Sequence, residues 1–305
     1  MDKFGGAKKD RPDRRDYHLS GISGAVELPV DFRLNDPFPI KDQNGFGSCT
    51  GQATAGHKQL QEGVELSARF AYAMTKKLEG NKEWGAYTRN QFRVLSEVGS
   101  VPEKAWPEKH NIPELDYLSW ENIPSFVVQD AALHKSSKYW RVDSDFESIK
   151  QAIYQYKQAV VITVPWYASY MNPRDGYLEY DKSSIQKYGH AILVEGWHGD
   201  WLTIKNSWGS DWGLNGMCYF GKDFPIWDAW LSADMPEKLP VELRYGQPRN
   251  YPMEKVTAFN PWLIRKIKRL PNNLEINALW YGKWDFEAVF KGRVQDQWLY
   301  EIKTK

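Results

Sequence analysis

Cys49, His190 and Asn206, met in that order along the chain, are the residues whose types and settings can do covalent chemistry. Cys49 stands in Gly45-Phe46-Gly47-Ser48-Cys49-Thr50-Gly51-Gln52-Ala53, where glycines give way to small, helix-compatible residues. A thiol at the start of a helix faces the positive end of the helix dipole, which stabilises the thiolate and raises its reactivity. The plainer alternative is a buried structural thiol. Gln43 lies six residues upstream, so a turn through Gly45 to Ser48 lets its side-chain amide swing back beside the sulfur. That amide and the Cys49 N–H together can hold an oxyanion. His190 follows Tyr188-Gly189 and leads into Ala191-Ile192-Leu193-Val194, so it enters a core strand behind a glycine. Alone it reads as a satisfied strand histidine. Asn206 ends the next apolar run; it can cap a turn, or it can accept from an imidazole and fix its ring and tautomer. Trp208 is placed to shield such a bond from water, with Trp212 packing beneath it.

The elements that must position these groups are readable. A helix from the Ser48 region to about Glu62 carries Cys49, a second over Ser67 to Leu78 puts Phe70, Met74 and Leu78 on one face, and a third covers Thr88 to Val98 with Gly99 as its stop. Asp145 to Tyr156 is a further helix, with Phe146, Ile149 and Ile153 inward. Val160 to Val164 is a β-branched run, and Ala191 to Gly196, Trp201 to Asn206 and Met217 to Phe220 are short strands. Helices first and antiparallel strands later is an α+β pattern, not an alternating parallel sheet.

Composition bounds the alternatives. In 305 residues, 40 basic against 39 acidic side chains leave a formal charge of +1, so no global field recruits nucleic acid or an anionic membrane. Two cysteines, Cys49 and Cys218, cannot form a disulfide framework, and Cys218 reads as a packed strand thiol. No apolar segment follows the charged start, so no signal peptide is expected, and none of the apolar runs reaches the roughly 20 residues of a membrane helix. The expected location is cytoplasmic or virion-associated. Three segments are expected: an N-terminal arm over 1–27 lying on the surface, a main domain over 28–235, and an aromatic-rich accessory region over 236–305. The last carries 13 basic and 8 acidic residues. Within it Leu274 to Tyr281, Trp284 to Phe290 and Gln297 to Ile302 read as strands joined by turns at Gly282 and Gly292. Arg265, Lys266, Lys268 and Arg269 fall in a stretch, Ile264 to Leu270, that reads as a solvated helix face rather than a nucleic-acid site.

Taken together, Gln43…Gly47-Ser48-Cys49, Gly189-His190-Ala191 and Asn206-Ser207-Trp208-Gly209 resemble the three signature segments of the papain-like cysteine peptidases. The separation of 141 positions between Cys49 and His190 fits that family's ~130–150, and Asn206 falls slightly beyond it. Leu66-Ser67-Ala68-Arg69 and the stretch from Gly99 to Pro107 also resemble family segments, so the likeness covers about residues 28 to 235. Phe46 and Thr50 stand where the eukaryotic members have a cysteine and an aromatic residue. The chain is more similar to the bacterial, archaeal and viral branch, as is the leader Arg11-Pro12-Asp13-Arg14-Arg15-Asp16-Tyr17. The resemblance implies a fold of two lobes, one helical and one β-barrel-like, with a small β-rich C-terminal extension. It implies hydrolysis of peptide bonds through a thioester, with Cys49 as nucleophile, His190 as base and then acid, Asn206 as orienter and Gln43 as oxyanion donor. Trp208 then shields the Asn–His bond, while Gly85, Tyr188, Gly189 and Ala191 border the substrate. No cofactor or metal is implied, the partner being a protein or peptide substrate. The leader is much shorter than the usual inhibitory propeptide, so control lies elsewhere or the arm itself folds over the cleft. The other class of reading is a structural or binding component, for instance of a viral particle, that keeps the fold, with 236–305 meeting a protein partner. Acyl transfer by the same triad differs only in what resolves the thioester.

Overall fold

Local sequence dictates where the helices begin and end. The computed structural model describes residues 5–19, 26–171, 173 and 175–233, and beyond these the strands at 267–269, 274–278, 284–294 and 297–304. It divides into two units, Met1–Asp234 and Met235–Lys305. The first unit runs β1 (Ala7–Lys8), β2 (Asp31–Arg33), α1 (Cys49–Glu62), α2 (Ala68–Glu79), β3 (Ala86–Tyr87), α3 (Thr88–Glu97), α4 (Glu114–Tyr117) and α5 (Ser125–Asp130). It continues with β4 (Lys138–Val142), α6 (Phe146–Tyr156), β5 (Val160–Tyr167), β6 (Tyr177–Leu178), β7 (Gln186–His198), β8 (Trp201–Lys205), β9 (Met217–Gly221) and β10 (Asp228–Ala233). Ser67 caps α2 by accepting the Phe70 N–H at 3.0 Å, and Asp145 caps α6 by accepting the Ser148 N–H at 2.9 Å. Each such cap stabilises its helix by about 1 kcal/mol.

Helix α1 is buried from Cys49 through Gln59. It shows no apolar stripe because it has no solvent face. Gly51 lets it approach α2 closely, since a Cβ there would come 2.8 Å from the Ala68 carbonyl. The other side of α1 lies on a sheet of eight strands in the order β4-β10-β5-β7-β8-β9-β6, with β2 paired to the far end of β7. All neighbours are antiparallel except β6 and β9. Alternation along the strands sorts their side chains onto two faces. Val160, Ile162, Val164 and Trp166 of β5, with Ile192 and Val194 of β7, pack in one core with Ile149 and Ile153 of α6. Val161, Ala191 and Leu193 pack in another with Cys49 and Ala53 of α1 and Phe92 and Leu95 of α3. Both faces being covered, β5 is buried at every position, which is why it reads as a continuous apolar run. Each buried aliphatic side chain stabilises the fold by roughly 1.5–3 kcal/mol.

Three sequence expectations change. Strands β4 and β10 were not anticipated, although β10 lies between β4 and β5 and links them into the sheet. The N-terminal arm lies on the surface only in part: Gly5, Gly6, Ala7 and Asp10 are buried, while Arg11, Pro12, Arg14, Arg15, Tyr17 and His18 are exposed. In the second unit Ile267–Arg269 is a strand, β11, and not a helix face. It pairs with β12 (Leu274–Ala278), which pairs with β13 (Trp284–Val294), which pairs with β14 (Gln297–Thr304). The register Ile267 to Ile276 and Arg269 to Leu274 supplies cross-strand partners that no local periodicity reveals. Gly292 sits at a register shift inside β13 rather than in a turn, while Gly282, Arg265 and Lys266 lie outside the described residues. No helix among the described residues is long and apolar enough to cross a membrane.

Candidate active site

Cys49 is the first residue of α1, after Ser48 at the N-cap, and is fully buried. The helix dipole favours its thiolate, and so do the N–H groups of Ala191, Gly6, Thr50 and Ala7. Burial outweighs them here and pushes the thiol up to about 11. This differs from the lowered thiol that a helix start alone predicts, and the cause is the segment lying over it.

His190 lies inside β7, opposite Val164 of β5, because the strand and its pairing start earlier than the sequence suggested, at Gln186. Its Nε2 lies 2.7 Å from Asn206 Oδ1, which also accepts the Ser207 N–H at 2.8 Å. An oxygen already accepting from a backbone N–H is an acceptor, so Nε2 carries the proton and donates it. The lone pair is thereby left on Nδ1, a buried atom with no hydrogen-bond partner among the described residues. Burial holds the imidazolium down at about 4, opposed by the bond to Asn206. The ring lies 4.8 Å from that of Trp166 and 4.7 Å from that of Trp208. Trp212 meets Trp208 edge-on at 5.5 Å.

Gln43 is locked to the Asn206 segment. Its Oε1 accepts from Ser207 Oγ at 2.8 Å and from the Trp208 indole at 3.2 Å, and its Nε2 donates to the Phe46 carbonyl at 2.6 Å. The backbones join as well, Gln43 N–H donating to Ser207 O at 2.9 Å and Gly209 N–H to Lys41 O at 3.1 Å. Residues 41–43 and 207–209 therefore form one fastened unit beside the helix start. Ser207 was not singled out from sequence, and only its place between Asn206 and Trp208 hints at this use. Trp166 was missed too, although the Val-Pro-Trp ending of β5 places an aromatic ring at the mouth of the sheet.

Tyr188, Gly189, Gly85 and Ala191 separate on inspection. Ala191 is buried against α1 and offers its N–H to the sulfur. The Gly85 N–H donates to the Tyr72 hydroxyl at 3.0 Å, and its carbonyl accepts from Lys76 at 2.8 Å. Gly85 borders the chain in the cleft, a Cβ there coming 2.0 Å from Gly6 O, while the backbone hydrogen bond comes from Ala86, whose N–H donates to Gly6 O at 2.9 Å. Tyr188 and Gly189 line the same chain from the opposite side.

That chain is the protein's own arm. The Gly6 N–H donates to Cys49 Sγ at 3.2 Å, the Trp84 indole donates to Gly5 O at 2.8 Å, and β1 pairs with β3 in parallel. The fit excludes side chains: a Cβ on Gly5 would come 2.2 Å from the Tyr188 ring, and one on Gly6 2.2 Å from Gly47 O. What faces the sulfur is an N–H, not a carbonyl carbon. Among the described residues no three His, Cys, Asp or Glu side chains group as a metal site.

The profile of the papain family cysteine proteases matches residues 29–224, so the chain belongs to that family, whose members are peptidase hydrolases. It is 29% identical to an uncharacterized peptidase C1-like protein of Acanthamoeba polyphaga mimivirus, over 70% of this chain and 73% of that one. It is 23% identical to a cathepsin L-like proteinase of Fasciola hepatica, covering 63% of this chain and 59% of that protein. Among solved structures it is similar to xylellain, a cysteine protease from Xylella fastidiosa, with a TM-score of 0.66, 25% identity, and coverage of 75% of this chain and 96% of the other. The fold is accordingly the α+β, two-lobed papain-like one.

Proposed function

We propose that the chain is a cysteine endopeptidase in which Cys49, His190, Asn206 and Gln43 perform the reaction. The observation that carries this reading is the distribution of the protons and lone pairs of His190. Asn206 Oδ1 accepts the hydrogen bond from Nε2–H, which leaves the lone pair on Nδ1, one residue before the Ala191 N–H that faces the sulfur. Nδ1 removes the thiol proton as Sγ attacks the substrate carbonyl carbon. The carbonyl electrons move to oxygen, held by the Cys49 N–H and by Gln43 Nε2. As the intermediate collapses the C–N bond breaks, and the imidazolium returns its proton to the leaving amine. A water activated by the same Nδ1 then hydrolyses the thioester, releasing the acid and restoring the thiol. Asn206 serves better than a carboxylate because it orients the ring without neutralising the imidazolium that pairs with the thiolate. Trp208 keeps water from that hydrogen bond.

The test is iodoacetamide alkylation across pH, with each labelled cysteine assigned by mass spectrometry, in Gly6→Ala, whose added Cβ cannot sit against Gly47 O and so unseats the arm, and in the same variant carrying His190→Ala. With the arm unseated, Cys49 should react well below the ordinary thiol pKa of ~8.5, and the added His190→Ala should remove this low-pH limb. Identical profiles in the two proteins would sink the reading.

A further inference from the structure

The arm that covers Cys49 is fastened at its far end by an unbalanced cluster of charges. Asp10 and Asp16 come from the arm, Arg89 from α3, Arg141 from β4 and Asp228 from β10. Arg89 grips Asp16 with two bonds of 2.8 and 2.6 Å, and its Nη2 also donates to Arg11 O at 2.6 Å. Arg141 pairs with Asp228 and lies 3.5 Å from Asp16. Asp10 Oδ2 accepts from the Arg89 N–H at 3.1 Å and from the Trp230 indole at 3.0 Å, while its own N–H donates to Asp228 Oδ2 at 2.8 Å. Asp10 Oδ1 is buried with no hydrogen-bond partner among the described residues. Both guanidinium groups lie against the Trp230 ring, at 5.4 and 5.5 Å.

Three buried carboxyls thus face two guanidiniums. Two carboxylates are neutralised directly, and the third, Asp10, has no ion-pair partner among the described residues while its Oδ1 is shut off from the surface. A carboxyl in that position is stable when it holds a proton and costly when it does not. We propose that Asp10 is a proton-dependent latch, seating the arm over Cys49 in acid and releasing it as the pH rises. The proposal rests on the catalytic reading only for its consequence; the latch itself is a matter of charge balance.

The remaining titratable groups nearby do not cancel this. Burial, then Asp228, raises Asp10 to about 7, against the opposing pull of Arg89 and the Trp230 indole. Asp228 is raised by its own burial, with Arg141 and Lys9 opposing. Both shifts have one sign. The docked arm holds a proton that a free arm, with an aspartate near 3.9, has lost above pH ~5. Docking is therefore fully supported in acid and weakens as pH rises through about 7. Lys9 is exposed, and Asp13 pairs with Arg15 inside the arm, a bond that docking leaves intact. Cys49 and His190 pass one proton between themselves when the site opens, from thiol and imidazole to thiolate and imidazolium, so near neutrality that pair takes up none.

Hydrogen exchange read by mass spectrometry on the full chain tests this, with exchange times scaled to the intrinsic rate at each pH. Protection of the arm peptide over residues 5–17 should fall by about tenfold or more between pH 5 and pH 8. Asp10→Asn, a permanent stand-in for the protonated acid, should stay protected at both pH values. Asp228→Asn leaves two carboxylates against two guanidiniums and should flatten the profile as well. It decides the matter if Asp10→Asn loses protection in α1 and so proves misfolded. Wild-type protection that is unchanged or rises with pH overturns the latch, as does an equal fall in a folded variant. Exchange reports the arm whatever Cys49 does. An alkylation profile indifferent to His190 would therefore sink the catalytic reading and leave the latch standing, and the converse pair of results would do the reverse.

Discussion

Two histidines are fully buried in this protein, and burial, helped at His57 by Lys58, holds both near 4, yet they are placed in opposite settings. His57, in the middle of α1, has both nitrogens engaged: Nδ1 lies 2.6 Å from Ala159 O, and Nε2 lies 2.8 Å from Ser232 Oγ, with Gln61 Nε2 at 2.9 Å. His190 has one nitrogen engaged and the other withheld. Desolvation and depressed basicity therefore do not mark the reactive imidazole. The unfilled hydrogen-bonding valence does. On the proposed reading, a structural histidine uses all its valences to join α1 to the sheet, and one that serves as a base keeps a lone pair in reserve at the cost of a less satisfied core.

Substitutions can break this contrast in order of size. His190→Ala should lower the low-pH alkylation of Cys49, and any peptide hydrolysis, by about 100-fold to 10,000-fold, the range of a positioned general base. Its thermal stability should change little by comparison. His57→Leu should do the opposite. It leaves the Ala159 carbonyl and Ser232 without their partner, destabilising the fold by roughly 2–4 kcal/mol in urea titration, while the pH profile of the folded fraction keeps its shape.

Acid sharpens the same contrast. Since His57 is depressed from its ordinary value, the unfolded chain binds a proton that the folded chain refuses. Stability should therefore be full above pH ~6.5 and fall as pH drops toward about 4, and His57→Leu should remove part of that fall. Asn206→Ala should cost about 1.5–3 kcal/mol in the reaction by freeing the His190 ring and its tautomer, a loss visible in kcat more than in KM. The smallest effect expected is from Trp208→Phe, which keeps a ring beside His190 but removes the indole donor to Gln43. Roughly 1 kcal/mol should disappear, read as a modest decrease in kcat/KM.

The site was legible where its chemistry coincides with an element boundary. Cys49 opens a helix and Asn206 follows a strand, while His190 lies within β7 where its buried stretch begins, so glycine and apolar runs frame each of them. The helix α1 itself was legible from its small residues, although burial on all sides erased its periodicity. What escaped was structure held by pairing at long sequence distance. Strand β4, Lys-Tyr-Trp-Arg-Val, has no clean alternation and exists because β10 pairs with it. The arm is buried by backbone contacts at Gly5 and Gly6 and by carboxylates on arginines 73 positions or more away, and none of those leaves an apolar pattern. For the same reason Gln43 could be read as an oxyanion donor while its fastening to Ser207 and Trp208 could not.

The indole rings around His190 carry one more consequence, an optical one. Trp166 and Trp208 lie within 4.8 Å of the imidazole, so protonating the ring places a cation beside two fluorophores, well inside the range of a cation–π contact. An imidazolium at that distance quenches indole emission where a neutral imidazole does so weakly. On the proposed reading, charging the base changes the emission of these two indoles, and substituting Trp84 and Trp230, whose indoles donate to the arm, separates that change from the movement of the arm itself.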